Sequence, residues 1–297
     1  MRILPWIDRK KNKIVHRFSP PLPPTTESLG FPPFSVRIVD RHNRWFKQNR
    51  PHWVKSLAGK SEGIAYMAAL GHAVPQTYAR LSRISDLPDL TNLPDRYVVK
   101  PERGYSSKGV YPMRDGVNLF DRRHMSREDI VTDIGRDSTA PHIVEELLEN
   151  FDGRIGAPYD YKYYCFGSQV AMILVMERNS VHKISHNRIW CRGADWEKFP
   201  FRISWDQHPE LMAPPRPPFL DEMTDIVRAV AGQLNIFVRI DMYATTRGPV
   251  FGEFTAFPSM GKTYTPRADA WLGSLWKGDE GCEQYADDQQ MERARAG

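Results

Sequence analysis

"FVRIDMYATTRGPVFGEFT", residues 237–255, alternates apolar and polar side chains on both sides of a glycine-bearing turn. That is the pattern of two antiparallel strands joined as a hairpin. The spacing predicts a loop over Thr246–Gly248, with Gly248 in the left-handed position and Thr245 facing Pro249. Counting back, Met242 faces Gly252, Asp241 faces Glu253 and Arg239 faces Thr255. Because strand side chains alternate, Arg239, Asp241, Glu253 and Thr255 share one face. Val238, Ile240 and Phe254 point the other way, toward a core. Two carboxylates directly opposite one another repel unless a cation lies between them. Oxygen donors with open positions suit Mg²⁺, which completes its shell from water and phosphate. A surface hairpin with a salt-bridged Arg–Asp–Glu cluster fits the same pattern, and the hairpin alone does not separate the two.

A second stretch bears on that choice. "RYVVKPERGYSSKGVYPM", residues 96–113, reads as a strand, a Gly/Ser loop and a second strand. Lys100 stands at the strand end, and Gly104, Ser106, Ser107 and Gly109 follow in the loop. Small residues let backbone N–H groups converge on phosphate oxygens, and the lysine adds charge. No G-K-[ST] opens a helix here, so this is not the Walker pattern, and an ordinary hairpin tip fits as well.

The rest of the chain is globular from about Trp45. "SEGIAYMAALG" reads as a helix ended by Gly71, and "HAVPQTYARL" as the strand after it. "APHIVEELL" is a strand leaving an apolar, acidic edge. "YDYKYYCFGSQVAMILVMER" is two strands joined at Phe166–Ser168, where Gly167 suits a tight turn. "LDEMTDIVRAVAGQLN" is an amphipathic helix leading into the opening hairpin.

Composition sets the outer bounds. The chain has 297 residues, 41% of them hydrophobic and 11% aromatic, enough for one large core or two modest ones. Its three cysteines (Cys165, Cys191, Cys282) are far apart and show no CxxC, which argues against a disulfide framework or zinc site. No segment has the apolar length of a signal peptide or membrane span, so the expectation is a cytoplasmic protein. The net charge of +5 is uneven, because residues 1–60 hold thirteen Lys/Arg against three Asp/Glu. This basic, Pro-rich arm is suited to peripheral contact with an acidic surface, or simply drapes on the domain, and it carries no specific nucleic-acid motif. "SPPLPPTTESLGFPPF" (19–34) reads as an extended linker. No internal repeat is visible.

Taken in order, "VVKPERGYSSKGV", "HIVEELL", "DYKYYCFGSQV" and "VRIDMYATTRGPVFGEFTAFPSMG" resemble the ATP-grasp superfamily, and the DYK-x-Y-C-F-G and G-E-x-T elements are most similar to its TupA-like group. The resemblance covers roughly residues 60–275. It implies an α+β fold in which two subdomains grip ATP between two antiparallel sheets, with the basic arm in place of the usual N-terminal α/β domain. The corresponding segments are an arm over 1–50, a first part over 51–148 with the phosphate lid at 100–110, a second over 149–276, and a polar tail over 277–297. The cofactors implied are ATP and Mg²⁺.

The roles carry over by position. Lys100 matches the lysine on the ATP phosphates, and Lys60 (with Lys55 nearby) an earlier lysine of similar task. Gly104, Ser106, Ser107 and Gly109 match the lid. Glu145, Glu146, Leu147 and Leu148 match the hinge that pairs with adenine, and Asp160 the acceptor of the ribose hydroxyls. Lys162 stands where many relatives have an Arg facing the γ-phosphate, which keeps the charge and loses the fork. Asp241 and Glu253 match the metal carboxylates, with Thr255 in place of the usual Asn, and Arg239 matches the arginine that meets the reacting phosphate.

The chemistry implied is ATP-dependent ligation of a small-molecule carboxylate to an amine, in cell-surface polymer or natural-product biosynthesis. A kinase on the same fold and a nucleotide-binding partner protein without turnover stay open. Arg178 and Arg188 are candidates for an anionic substrate, as are Ser259 and Gly261 in the Pro–Ser–x–Gly turn. His182 and His186 read as surface histidines, Trp190 and Trp196 as packing residues, and Cys165 as a buried thiol.

Overall fold

The computed structural model describes residues 30–103, 109–179 and 186–283. Helix α1 (Phe34–His42) opens the fold, followed by α2 (Lys60–Ala69) and strands β1 (Thr77–Leu81), β2 (Arg96–Pro101), β3 (Tyr111–Arg114) and β4 (Val117–Asn118). Helix α3 (Arg127–Ile134) and β5 (His142–Glu146) complete the first half. The second half runs β6 (Asp160–Phe166), β7 (Gln169–Glu177), β8 (Arg188–Arg192), α4 (Leu220–Leu234), β9 (Phe237–Thr245), β10 (Gly248–Thr255) and α5 (Pro266–Leu275).

The strands form two five-stranded sheets, ordered β1-β5-β2-β3-β4 and β10-β9-β6-β7-β8, with every neighbouring pair antiparallel. This is the α+β, two-sheet architecture that the resemblance implies. In the first sheet alternation divides β2: Tyr97 and Val99 enter a core with Met113, Ile130, Val131 and Val144, while Val98 and Lys100 face the second sheet's side. In the second sheet α4 buries Met223, Val227, Val230 and Leu234 against Tyr163, Cys165, Ile173, Val238 and Ile240. That closes one face with an apolar stripe of helical period. The opposite face is apolar at one end (Tyr164, Met172, Leu174, Phe237) and charged at the other.

The opening hairpin differs from expectation in its turn. Thr245 pairs with Gly248, so the loop is only Thr246–Arg247. The Thr245 hydroxyl donates to the Gly248 carbonyl at 2.7 Å and accepts from the Arg247 amide at 3.2 Å, which holds the tighter turn. The register is then one residue out as far as Phe251, which faces Met242, and a bulge at Gly252 restores it. Glu253 faces Asp241 and Thr255 faces Arg239, as the alternation predicts. The bulge depends on glycine. A Cβ there would lie 2.9 Å from Tyr243 Cε2, 3.1 Å from the Asp241 carbonyl oxygen and 3.3 Å from Asp241 Cβ.

The folded part also begins earlier and ends later than composition suggests. Phe34, Ile38, Arg41 and Trp45 are buried at helical spacing along α1 and the π-turn after it, although residues 1–50 read as an arm. The Arg in that stripe and the basic residues around it hide the periodicity. At the other end, Trp276, Glu280 and Cys282 are buried, so the stretch up to Glu283 packs where a polar tail was expected. The remainder of the arm and tail lies outside the described residues. Strand β8 was not expected either; it buries Trp190 and Cys191, and Trp196 packs half-buried against Tyr161. All three cysteines are free and buried, and burial pushes the Cys165 thiol well above its usual range. Among the described residues no helix is long and apolar enough to cross a membrane.

Gly252→Ala tests the bulge directly. Overpacking at this site should cost about 1–3 kcal/mol, seen as a lower melting temperature in calorimetry. An unchanged melting temperature would mean that Tyr243 and Asp241 move aside freely.

Candidate active site

A cleft lies between the two sheets. The first sheet lines it with Val98 and Lys100 of β2, Pro112 of β3, and Glu145 and Glu146 of β5, continuing into Leu147 and Leu148. The second lines it with Asp160 and Lys162 of β6, Asp241 and Tyr243 of β9, and Glu253 of β10, with Arg178 just beyond β7. Lys60 enters from the first turn of α2.

Lys60 and Lys100 come together through Glu102. Its carboxylate accepts from the Ser61 amide at 2.6 Å and from the Ser61 hydroxyl at 2.8 Å, tying the N-terminus of α2 to the end of β2. An acid at a helix N-terminus is favourable in its own right. Burial lowers the pKa of Lys60, with neighbouring Lys100 acting in the same sense and Glu253 against it. Lys55 goes elsewhere, its ammonium 4.2 Å from the centre of the Phe46 ring. Lys100 donates to Glu145 Oε1, whose other oxygen is buried without a partner.

On the second sheet the register sets two rows across β6, β9 and β10. Lys162, Asp241 and Glu253 form one, and Tyr164, Arg239 and Thr255 the next. Lys162 donates to Asp241 Oδ2 and lies 3.4 Å from Asp160 Oδ2. Arg239 grips Asp241 with Nε at 2.6 Å and Nη2 at 2.8 Å, and the same Nη2 reaches Glu253 Oε1 at 2.9 Å. The Thr255 hydroxyl is 3.5 Å from Glu253 Oε1. Asp160 accepts from Arg178 Nε at 2.6 Å and is also bonded to the Tyr243 hydroxyl.

These pairings set the protonation of the cluster. Burial drives the Asp241 carboxyl upward, against Arg239 and Lys162. Burial acts on Asp160 in the same sense, but Arg178 and Lys162 outweigh it and hold the carboxyl well below its usual range. Tyr243 is pushed well above its usual range by burial and by Asp160.

Of the residues singled out in the sequence, Lys60, Lys100, Glu145, Glu146, Leu147, Leu148, Asp160, Lys162, Arg178, Asp241 and Glu253 meet in this cleft. Arg239 and Thr255 support its carboxylates from the next row. Gly109 packs beside Pro101, while Gly104, Ser106 and Ser107 lie outside the described residues, as does His182. Three candidates belong elsewhere. Arg188 pairs with Glu177 at 3.2 Å, a carboxylate it shares with Arg154. Ser259 sits in a tight turn with φ of 50°, and Gly261 faces Ser35 of α1, whose Cα a side chain would meet at 2.6 Å. Arg178 anchors Asp160, so its role is more internal than an open anion site.

Sequence reasoning missed Tyr243, although it follows Arg239 and Asp241 on the same alternating face. It also missed Pro112 and Phe120, apolar lining supplied by the first sheet and the segment after β4. Among the described residues no three His, Cys, Asp or Glu side chains gather as a metal-binding group. Any divalent ion here would rest on the facing pair Asp241 and Glu253 with the Thr255 hydroxyl.

A family model described as TupA-like ATPgrasp matches residues 57–277. No curated protein matches the chain in sequence. Among solved structures, the chain is similar to an ATP-grasp ligase, PsnB, complexed with a minimal precursor, at 16% identity and a TM-score of 0.39, over 68% of this chain and 53% of that one. It is similar to D-alanine–D-alanine ligase from Bacillus anthracis complexed with ATP, at 13% identity and a TM-score of 0.46, over 81% and 68%. It is also similar to VanG D-Ala:D-Ser ligase from Enterococcus faecalis, at 16% identity and a TM-score of 0.47, over 75% and 59%. The chain thus spans about half the length of the first of these.

The electrostatics of Glu253 can be tested by pH. Burial favours its neutral form, but Arg239, Lys162 and Lys60 outweigh burial and hold the carboxyl to about 2. A carboxyl lowered on folding adds stability above its unfolded pKa of about 4.3 and loses it as pH falls toward the folded value. The melting temperature of the wild type should therefore exceed that of Glu253→Gln near neutrality, and the gap should close between about pH 4 and pH 2. The side chain is 38% exposed, so screening keeps the gap small. A gap that does not change across this range would mean that the cations do not hold Glu253.

Proposed function

The chain belongs to the TupA-like ATP-grasp family, and from that premise we propose that it is an ATP-dependent ligase joining a carboxylate to an amine. One observation carries the reading: three lysines and a facing carboxylate pair converge in one cleft between two antiparallel sheets. Lys100 approaches from the first sheet, Lys162, Asp241 and Glu253 from the second, and Lys60 from the start of α2, which packs against β10. That is a site for a polyphosphate and its metal.

The donor set suits the metal. Asp241, Glu253 and Thr255 offer oxygen only, as a hard divalent cation requires, although Arg239 and Lys162 hold the two carboxylates here and an ion would have to share them. Bound there, Mg²⁺ would neutralise charge on the phosphate oxygens. The chain's own residues do the rest by position and charge. Val98, Pro112 and Phe120 offer apolar walls to a base, and the backbone of Glu146–Leu148 offers it hydrogen bonds. Lys60 and Lys100 bind phosphate oxygens, and Lys162 faces the terminal group. Arg239, held behind the carboxylates, keeps Asp241 and Glu253 aligned. Asp160 was expected to accept from the ribose; with Arg178, Tyr243 and Lys162 around it, anchoring those groups is the role the geometry favours.

The reaction class of this reading is transfer of the terminal phosphoryl group of ATP to a carboxylate, followed by displacement of phosphate by an amine. A place in cell-surface polymer or natural-product synthesis belongs to the same proposal.

A screen of carboxylates with and without amines, read as ADP release with mass spectrometry of the products, tests it. An amide product supports the ligase, and a stable phosphate ester as the end product overturns it in favour of a kinase. With a substrate pair in hand, Glu253→Ala should lower turnover by roughly a hundredfold or more, as for loss of one electrostatic catalytic group. Near-normal activity of that variant in Mg²⁺ would remove Glu253 from the metal site.

A further inference from the structure

Arg41 is fully buried, and its partners lie at the open end of the hairpin that carries the metal carboxylates. Its Nη1 donates to the Phe237 carbonyl at 2.7 Å and lies 3.3 Å from the Ala256 carbonyl. Phe237 is the first residue of β9, two before Arg239, and Ala256 immediately follows Thr255. One guanidinium nitrogen thus bridges the two strands where their pairing stops at Thr255–Arg239. The rest of the group is held by one further hydrogen bond and an ion pair, with Nε and Glu280 Oε2 close but not aligned as a hydrogen bond. Nη2 donates to the Glu280 carbonyl at 2.6 Å, Nε is 2.9 Å from Glu280 Oε2, and the Trp276 ring lies 4.4 Å beneath. Glu280 is fixed in turn by Trp45 Nε1 and Arg44 Nη2, each at 3.1 Å, and its carbonyl also accepts from the Phe237 amide at 2.6 Å.

A buried arginine is costly unless every donor finds a partner. A core arginine whose fork joins the ends of two strands does more than fill space. We propose that Arg41, clasped by Glu280, is a positioning residue that sets the separation of β9 and β10, and through it the placement of Arg239 and Thr255 beside Asp241 and Glu253. Both clasp residues lie outside the 57–277 segment matched by the family. A residue before that segment therefore helps to shape the site, and the chain after it holds that residue in place. The inference rests on the reading of the hairpin as a metal site.

The test uses Mn²⁺ as the metal and AMP-PNP as the nucleotide, so no carboxylate or amine is needed. Arg41→Lys keeps the charge and loses the fork. Mn²⁺ affinity in the presence of AMP-PNP, read by electron paramagnetic resonance well below the melting temperature, should fall about tenfold, the effect of losing a charge-assisted contact. AMP-PNP binding without metal should stay within about twofold, because the hinge belongs to the other sheet. If an ammonium cannot be buried here, the uncharged Arg41→Gln should give the same loss, since Glu280 keeps Arg44 and Trp45. Glu280→Gln is the comparison: it weakens the clasp but leaves the carbonyl contacts of Arg41, so stability falls while Mn²⁺ affinity holds within about twofold. Equal loss of Mn²⁺ affinity in Glu280→Gln, or unchanged affinity in both Arg41 variants, overturns the proposal and leaves the metal reading standing. No Mn²⁺ uptake by the wild type with AMP-PNP overturns the metal reading, and the proposal with it.

Discussion

A carboxylate taken out of water must be met by a cation, and that requirement organises one whole face of the second sheet. Asp160 and Asp241 are buried there with Glu253 beside them, and each has a cation within hydrogen-bonding distance. Strand β9 lies between β6 and β10, so Asp241 meets Lys162 on one side and Glu253 on the other. Arg239 comes up from the next row and closes the set with its fork. No pair in this cluster could be removed singly without stranding a charge, which makes the register of three strands a condition of the site.

The opposite wall answers to a weaker constraint. Lys60 and Lys100 reach the cleft from a helix terminus and a strand end, and Glu102 joins those two elements. Like charges are tolerated so close because Glu145 neutralises Lys100 directly and Glu253 stands near Lys60. The cleft is thus a place where Lys100 of the first sheet and Lys60, on a helix packed against β10, face a mixed cluster on the second sheet. An anionic ligand with its own metal could redistribute every one of these pairings.

The supporting structure explains why such a cluster can sit at one end of a sheet whose other end is apolar. Phe34 meets Phe237, Tyr264 and Trp276 edge to face, as Tyr164 meets Tyr264, while Phe237 stacks on Trp276 and tilts against Phe166, giving the strands a rigid root. The Tyr264 hydroxyl donates to that of Tyr164 at 3.0 Å, next to Arg239 in its row. Rigidity at the root allows precision at the charged end, where the carboxylates would otherwise spread apart.

Much of this was legible in the chain itself. Alternation put Arg239, Asp241, Glu253 and Thr255 on one face, because a strand leaves a side chain only two directions. Glycines at turns and apolar runs of period two or near four identified β2, β5, β6, β7, α2 and α4 for the same local reason. The order of four short motifs identified the fold. What local pattern could not supply was partnership. The two-residue turn is held by Thr245 bonding across it, and the compensating bulge at Gly252 sits where Tyr243 and Asp241 leave no room for a side chain. The burial of Arg41 depends on Glu280, far away in sequence, so a stretch rich in Lys and Arg reads as a solvated arm until the tail closes over it. Arg178 and Arg188 look alike as free cations, and only the folded chain pairs one with Asp160 in the cleft and the other with Glu177. Sequence determined which residues carry charge and which face of a strand they take; tertiary structure decided which charges meet, because buried charges are satisfied by whatever the fold brings within hydrogen-bonding distance.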